Sequence, residues 1–348
     1  MTTEDLIVRR EGAAGFLTLN RPKALHALNQ PMVRAMIDAL LAWRDDPEVH
    51  AVIIDHSEGR GFCAGGDIAV LRNSALNDGG ASGRQFFNEE YQLNHLLMVY
   101  PKPVIAFMDG IVMGGGVGIA LPARFHVATE NTRFAMPESG IGLFPDVGGG
   151  WHLSRLQGRM GQFLALTGAR LDGAECLWAG LATHYLAAES LAEAKARIVH
   201  GHEPGQVLAA LAVAPPAARI EANAAQIARH FASDRYEDIL ASLEADDGEW
   251  AAKERATLGT KCPTTCKVAL RQLRESLSCA DFAANMAMEY RLGARLLVRP
   301  DFAEGVRAVI IDKTNDPKWD PATPEGVTDA MLDTVFAPLA PAEEWKPL

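Results

Sequence analysis

Residues 104–150, VIAFMDGIVMGGGVGIALPARFHVATENTRFAMPESGIGLFPDVGGG, decide how the rest of the chain is read. The stretch opens on an apolar run, Val104 to Met108, which reads as a buried strand. A glycine triplet, Gly114, Gly115 and Gly116, leads into residues 117–121, an apolar segment suited to the start of a buried helix. Glycines there let backbone N–H groups approach a ligand with no Cβ in the way, and a helix start aims such groups at negative charge. Two further strands, residues 125–129 and 133–136, deliver Pro137-Glu138. Asp146 follows eight positions on, ahead of Gly148 to Gly150 and another helix. Backbone donors and two carboxylates thus fall on successive turns of one compact unit, an arrangement suited to acyl chemistry.

On the N-terminal side, residues 6–10 and 15–19 read as two strands around a turn, and Asn20-Arg21-Pro22-Lys23 breaks the second. Met32, Val33, Met36, Ile37, Leu40 and Leu41 recur at helical spacing, which predicts an amphipathic helix over 31–44. Pro47 ends it, and residues 51–55 form the next buried strand. The loop 57–66 delivers Asp67 as N-cap of a helix through Leu71, and the polar, glycine-rich stretch 73–83 reads as a mobile surface loop. This strand–helix alternation predicts an α/β core.

Beyond residue 150 strand signals become scarce. Helices are expected at 151–156, 162–166, 174–179 and 191–199, with a last short strand at 184–186. Prolines at 204, 215 and 216 mark a boundary, residues 217–310 are helical in pattern, and 315–324 is a proline-rich loop. The chain divides into an α/β core, 1–200, holding the site, and a mainly helical region, 201–348, covering it.

With 348 residues, 48% hydrophobic and 22% charged, there is material for a large core. The net charge of −11 argues against a sequence-independent nucleic-acid surface, which needs a basic patch, while a local field still accommodates an anionic ligand. The five cysteines form no paired framework, and Cys262-Pro-Thr-Thr-Cys266 lacks the second Cys/His pair of a zinc site. The N-terminal MTTEDLIVRREG has no leader-like h-region, and no apolar run is long enough to span a bilayer. A cytoplasmic protein is the expectation.

The glycine triplet does not match the dinucleotide fingerprint, and there is neither a Walker A pattern nor a G-x-S-x-G elbow. Alone, such a triplet is more often tight helix–strand packing. A second glycine loop, Cys63-Ala64-Gly65-Gly66-Asp67, also lies between a strand and a helix. Two such loops could aim two N–H groups at one developing oxyanion. Their nitrogens would then lie within roughly 4–6 Å of each other. Glu138 and Asp146 each follow a proline and fit a turn or cap as readily as a catalytic role. Glu90 is more pointed: in a helix over 85–98 it sits within the apolar stripe of Phe86, Leu93 and Leu97, with Glu89 on the flank. A carboxylate on an apolar face must find a partner or a polar cavity. His26, His126 and His152 have no acidic or nucleophilic neighbour in the local sequence and read as structural.

With these residues in place, the chain resembles the crotonase (enoyl-CoA hydratase/isomerase) superfamily and, within it, the 3-hydroxyisobutyryl-CoA hydrolase branch. The markers are Asn20-Arg21-Pro22-Lys23-Ala24-Leu25, Phe62-Cys63-Ala64-Gly65-Gly66-Asp67, Met113 to Gly118, and Met136-Pro137-Glu138 through Gly148. Cys262-Pro-Thr, Glu304-Gly-Val-Arg-Ala and Ile311-Asp312-Lys313 point to the hydrolase branch. The resemblance implies a core spiral of ββα turns and an acyl-CoA substrate. Lys23, Ala24, His26, Ala64 and Asp67 would line its binding site, with coenzyme A near residues 23–26. It implies a thioester oxygen held by Gly66 and Gly115, catalytic carboxylates Glu138 and Asp146, and Glu90 in the acyl pocket. Hydratases of the superfamily carry a glutamate where this chain has Gly118, which disfavours hydration. At His26 many members have Asn. The expected reaction is hydrolysis of 3-hydroxyisobutyryl-CoA in valine breakdown, without metal or cofactor beyond the CoA of the substrate. No nucleic-acid or membrane partner is expected, and a homo-oligomer is compatible. The rival readings are a hydratase or isomerase on the same scaffold and a non-catalytic acyl-CoA-binding protein.

Overall fold

In the computed structural model, which describes residues 3–348, β1 (Leu6–Glu11) and β2 (Ala14–Leu19) pair antiparallel across a tight turn. Met1 and Thr2, the start of the segment read above for a leader, lie outside the described residues. Three strand pairs follow: β3 (Ala51–His56) with β4 (Gly61–Cys63), β5 (Val104–Met108) with β6 (Ile111–Met113), and β7 (Phe125–Ala128) with β8 (Arg133–Ala135). In each pair the first strand joins one sheet and the second joins another. With β9 (Leu171–Asp172) and β10 (His184–Tyr185), the sheets run β1-β2-β3-β5-β7-β10 and β4-β6-β8-β9. All neighbours are parallel except β1·β2 and β8·β9. The step from β5 to β6 needs Gly110, which has φ +125°, and a Cβ there would meet the Arg60 carbonyl oxygen at 2.5 Å. That close approach lays successive turns of the spiral against each other.

The helices fill the turns. α1 (Gln30–Arg44) is capped by Asn29, whose side chain accepts from the Met32 N–H, and it buries Met32, Val33, Met36, Ile37 and Leu40 while Leu41 stays exposed. α2 (Ile68–Asn77), α3 (Ala81–Met98) and α4 (Gly115–Ala120) follow β4 and β6, and α5 (Gly149–Ser154) follows the loop after β8. The expected mobile loop at 73–83 is therefore two helix ends and a short break. Its polar residues act as caps: Asp78 accepts from the Ala81 N–H at 2.9 Å and the Ser74 hydroxyl at 2.6 Å, and Ser74 accepts from the Gly83 N–H at 2.9 Å. Strand β4 falls inside the stretch expected as a loop over 57–66, and β6 has no counterpart in the sequence reading, because three residues each carry too little pattern.

Burial alternates along the strands. Leu17, Leu19, Val52 and Ile54 belong to the main core, while Phe16, Ile53 and Phe107 face a smaller cluster with Leu191 and Leu208 on the opposite side of the six-stranded sheet. The main core runs on to Phe336 and Trp345, so the C-terminal helices share it. Among them, Pro263–Ser278 packs on α5 and Phe282–Leu296 packs on α3. Cys262 and Cys266 are buried there, their thiols pushed up to about 12 by desolvation. Among the described residues no helix is long and apolar enough to cross a membrane.

Candidate active site

Because β4 and β6 are neighbours, the loops leaving them lie side by side. A Cβ on Gly115 would fall 3.1 Å from the Gly66 nitrogen, and one on Gly65 would fall 3.7 Å from the Gly115 nitrogen. A Cβ lies about 2.5 Å from its own nitrogen, so the Gly66 and Gly115 nitrogens are no more than about 5.6 Å apart. That closeness is what two donors to a single oxygen require. The same loops touch two carboxylates. A Cβ on Gly115 would lie 2.5 Å from Glu90 Oε1, and one on Gly114 would lie 3.3 Å from Glu138 Oε1. Gly114 has φ +48°, ψ −122°, a conformation that a side chain resists even where space allows.

Glu138 opens a single 3-10 turn, Glu138–Ile141, at the end of the β8 segment. The turn is pinned from behind: Ser139 Oγ donates to the Leu166 carbonyl at 3.0 Å, and the Cys262 N–H donates to the Ser139 carbonyl at 2.9 Å. Asp146 enters from the following loop, and its Oδ2 accepts from the Tyr91 hydroxyl at 2.9 Å. Glu90 comes from α3. All three carboxylates are buried, and they line one cavity of ≈ 490 Å³ together with Gly66 and Gly115. Phe86, Phe87, Leu143 and Val147 form its apolar wall, and Lys261, Ile310 and Asn315 reach it from the C-terminal region.

Burying three acids together has an electrostatic cost, visible in their protonation. Desolvation pushes Asp146 up to about 7, although the Tyr91 hydroxyl favours its charged form. Glu138 and Glu90 are driven well above the usual carboxylate range, first by burial and then by the Asp146 charge. Among the described residues, Glu138 Oε2 and Glu90 Oε1 are buried without a hydrogen-bond partner. Unsatisfied buried oxygens beside converging glycines suit a site built to receive a ligand rather than one packed for stability.

Of the other residues expected around the substrate, Ala64 lines the cavity, whereas Lys23, Ala24, His26 and Asp67 do not. Lys23 is exposed on the 3-10 turn Pro22–Ala24. Asp67 caps α2 and pairs with Arg21 at 2.9 Å. The His26 side chain is wholly occupied: Nδ1 accepts from the Arg21 N–H at 2.9 Å, and Nε2 bonds the Glu58 carbonyl at 2.8 Å. The imidazole therefore fastens its own loop. Tyr91 and Lys261 escaped sequence reading: a tyrosine on an apolar helix face reads as core, and nothing near Lys261 in the chain points to a cavity.

A sequence profile described as enoyl-CoA hydratase/isomerase matches residues 14–336. The chain belongs to the enoyl-CoA hydratase/isomerase family. A curated relative, 3-hydroxyisobutyryl-CoA hydrolase, mitochondrial, from Xenopus tropicalis, is 42% identical over 96% of this chain and 89% of its own length. Two solved structures share the crotonase fold of the family at full length. One, titled carnitinyl-CoA dehydratase from Mycobacterium thermoresistibile, has TM-score 0.93 and 39% identity, covering 99% of both chains. The other, titled enoyl-CoA hydratase from Rhodobacter sphaeroides 2.4.1, has TM-score 0.92 and 37% identity, covering 98% of this chain and 99% of its own. The expectation of a cytoplasmic protein does not stand, because curated relatives across nearly the whole chain are described as mitochondrial. Within the family, Gly118 has a structural reason. A Cβ there would lie 2.5 Å from Val147 Cβ and 2.8 Å from Asn94 Nδ2, so Val147 and Asn94 fill the space a glutamate would need.

Proposed function

We propose that the chain hydrolyses the thioester of a β-hydroxyacyl-CoA, most specifically 3-hydroxyisobutyryl-CoA, releasing 3-hydroxyisobutyrate and CoA as in valine degradation. What carries the reading is the meeting of Glu138 and Asp146 with two converging glycine nitrogens in one cavity, in a chain whose curated relatives are named for this hydrolysis. The thioester oxygen accepts from the Gly66 and Gly115 N–H groups, which stabilise the negative charge as the carbonyl carbon becomes tetrahedral. One such donor is worth ~3–4 kcal/mol. Glu138 either attacks that carbon, to form an acyl-enzyme anhydride that water later opens, or removes a proton from the attacking water. Asp146 gives a proton to the departing CoA thiolate. In the empty site burial and the Asp146 charge favour the proton on Glu138, so this division of roles requires the proton to sit on Asp146 once the thioester is bound. Glu90, without a partner at Oε1, accepts from or donates to the acyl hydroxyl. Every step uses carboxylates and backbone N–H groups, so no metal or cofactor is called for beyond the CoA of the substrate.

A second reading draws on the two solved structures titled dehydratase and hydratase. It would move a proton at the α-carbon while keeping the thioester, and the filled space at Gly118 leaves it one acid short. Following both thiol release and enoyl absorbance with 3-hydroxyisobutyryl-CoA and a 2-enoyl-CoA separates the two. Free CoA from the hydroxyacyl substrate supports hydrolysis; rapid hydration of the enoyl substrate with the thioester intact overturns it.

A further inference from the structure

Val147, next to Asp146, has φ +53°, and Gly148 has φ +87°. A β-branched residue in the left-handed region is strained and persists only where its surroundings over-determine the backbone. Here those surroundings come from the far end of the chain. Glu289, on Phe282–Leu296, is fully buried, and its Oε2 accepts from the Gly148 N–H at 2.7 Å. Its Oε1 accepts from the Gly150 N–H at 2.9 Å, from Asn285 Nδ2 at 2.9 Å and from Gln272 Nε2 at 3.0 Å. Gln272 Nε2 also donates to the Pro145 carbonyl at 2.7 Å, and Ser276 Oγ holds Asn285 Oδ1 at 2.7 Å. Residues 145, 148 and 150 are thus fastened on both sides of Asp146 by one carboxylate and its neighbours.

The geometry points to Glu289 as a positioning residue for Asp146, holding the strained 145–150 turn so that the Asp146 carboxylate faces Glu138 and the substrate. This rests on the catalytic role of Asp146 proposed above. A simple structural tie between a helix and a loop is the competing explanation. It is disfavoured because the bonds converge on the one turn that carries the acid. The carboxylate is also an expensive choice for a tie: burial, assisted by the Asp146 charge, pushes Glu289 up to about 8. All four groups directed at it are donors, and a neutral amide could not satisfy them all.

Glu289→Gln is nearly isosteric, and it places an NH2 group against a donor, most directly against the Gly148 N–H if Oε1 keeps its three partners. Misplacing a reacting group by about 1 Å costs on the order of 10²-fold, so kcat for thiol release should fall by ~10–100-fold with KM within about twofold. In an Asp146→Asn background the same change should cost less than about twofold more, because sites acting through one group are not additive. Far-UV circular dichroism and CoA titration check that the fold and binding persist. If Glu289→Gln does not fold, Gln272→Leu removes the Pro145 tether and one of the four donors to Glu289 and should still lower kcat several-fold. The inference is overturned if Asp146→Asn is slow while the folded Glu289 variant, or Gln272→Leu in its place, keeps its kcat. It is also overturned if the loss multiplies in full on the Asp146→Asn background, the mark of a merely structural residue. An Asp146→Asn protein with full activity overturns the proposed role of Asp146 itself, and the positioning role falls with it.

Discussion

Two of the stretches near the cavity that hold non-glycine residues in left-handed backbone are kept there by different means. In the first, Leu25 at φ +49° and His26 at φ +58° are fixed by near neighbours. The His26 ring bonds Arg21 and Glu58, and the Ala64 N–H donates to the Leu25 carbonyl at 3.0 Å. In the second, Val147 is held by Gln272 and Glu289 from helices far along the chain. The first stretch is closed entirely by contacts within residues 21–64. The second, which carries Asp146, depends on the docked C-terminal helices. The C-terminal region thus supplies part of the site's precision as well as its cover.

The largest effect expected from breaking this comparison is at Glu138. Glu138→Gln removes the ionisable carboxyl and leaves both glycine donors, so turnover should drop by about 10²–10⁴-fold. CoA affinity, measured by titration, should hardly change, and a variant that still turns over at the native rate would remove Glu138 from the chemistry. Tyr91→Phe sharpens the account of Asp146. Its hydroxyl bond favours the charged acid, so without it the Asp146 carboxyl rises further above about 7. A proton donor then keeps its proton to higher pH, and the alkaline limb of kcat/KM should move up. Movement of the acid limb instead would mean that Asp146 is the base and Glu138 the donor.

His26→Ala probes the locally closed stretch. Two buried hydrogen bonds go, so unfolding in urea should show a loss of ~1–3 kcal/mol with kcat within about twofold. A large loss of kcat with little loss of stability would erase the contrast between the two stretches. The smallest effect concerns pH. Glu90, Glu138, Asp146 and Glu289 all have folded pKa values above their ordinary ones. The native protein therefore binds more protons than the unfolded chain above pH ~4. Their contribution is most favourable below that range and is lost as pH rises, for Asp146 and Glu289 through about 7 and 8. Glu90→Gln should relieve part of this and raise the midpoint of thermal unfolding by ~2–4 °C while lowering activity. A lower midpoint would count against repulsion among the buried acids.

How much could be read beforehand follows from the same distances. The helix over 31–44 and the strand over 104–108 announce themselves by periodicity, and Glu90 by its place on an apolar face. The two glycine loops could be paired because each sits between a strand and a helix. Strands β4 and β6 could not be seen, since three residues among glycines show no alternation. Polar residues at 73–83 looked like a solvated loop because capping and solvation use the same side chains. Tyr91 and Glu289 were out of reach for another reason: their partners lie 55 and 141 positions away, and no local pattern announces such a bond.

The filling of the space at Gly118 by Val147 and Asn94 bears on how this protein could change its chemistry. A glutamate introduced at 118 alone meets the Val147 side chain, so the first step toward a hydratase leads through a badly packed intermediate with neither activity intact. Trimming Val147 first opens the room and also relaxes a backbone that glycine adopts freely, at the price of loosening the turn under Asp146. Hydrolysis and hydration on this scaffold are therefore separated by at least two ordered substitutions, with Asn94 still to be accommodated, and a laboratory lineage should find the change at 147 before the one at 118.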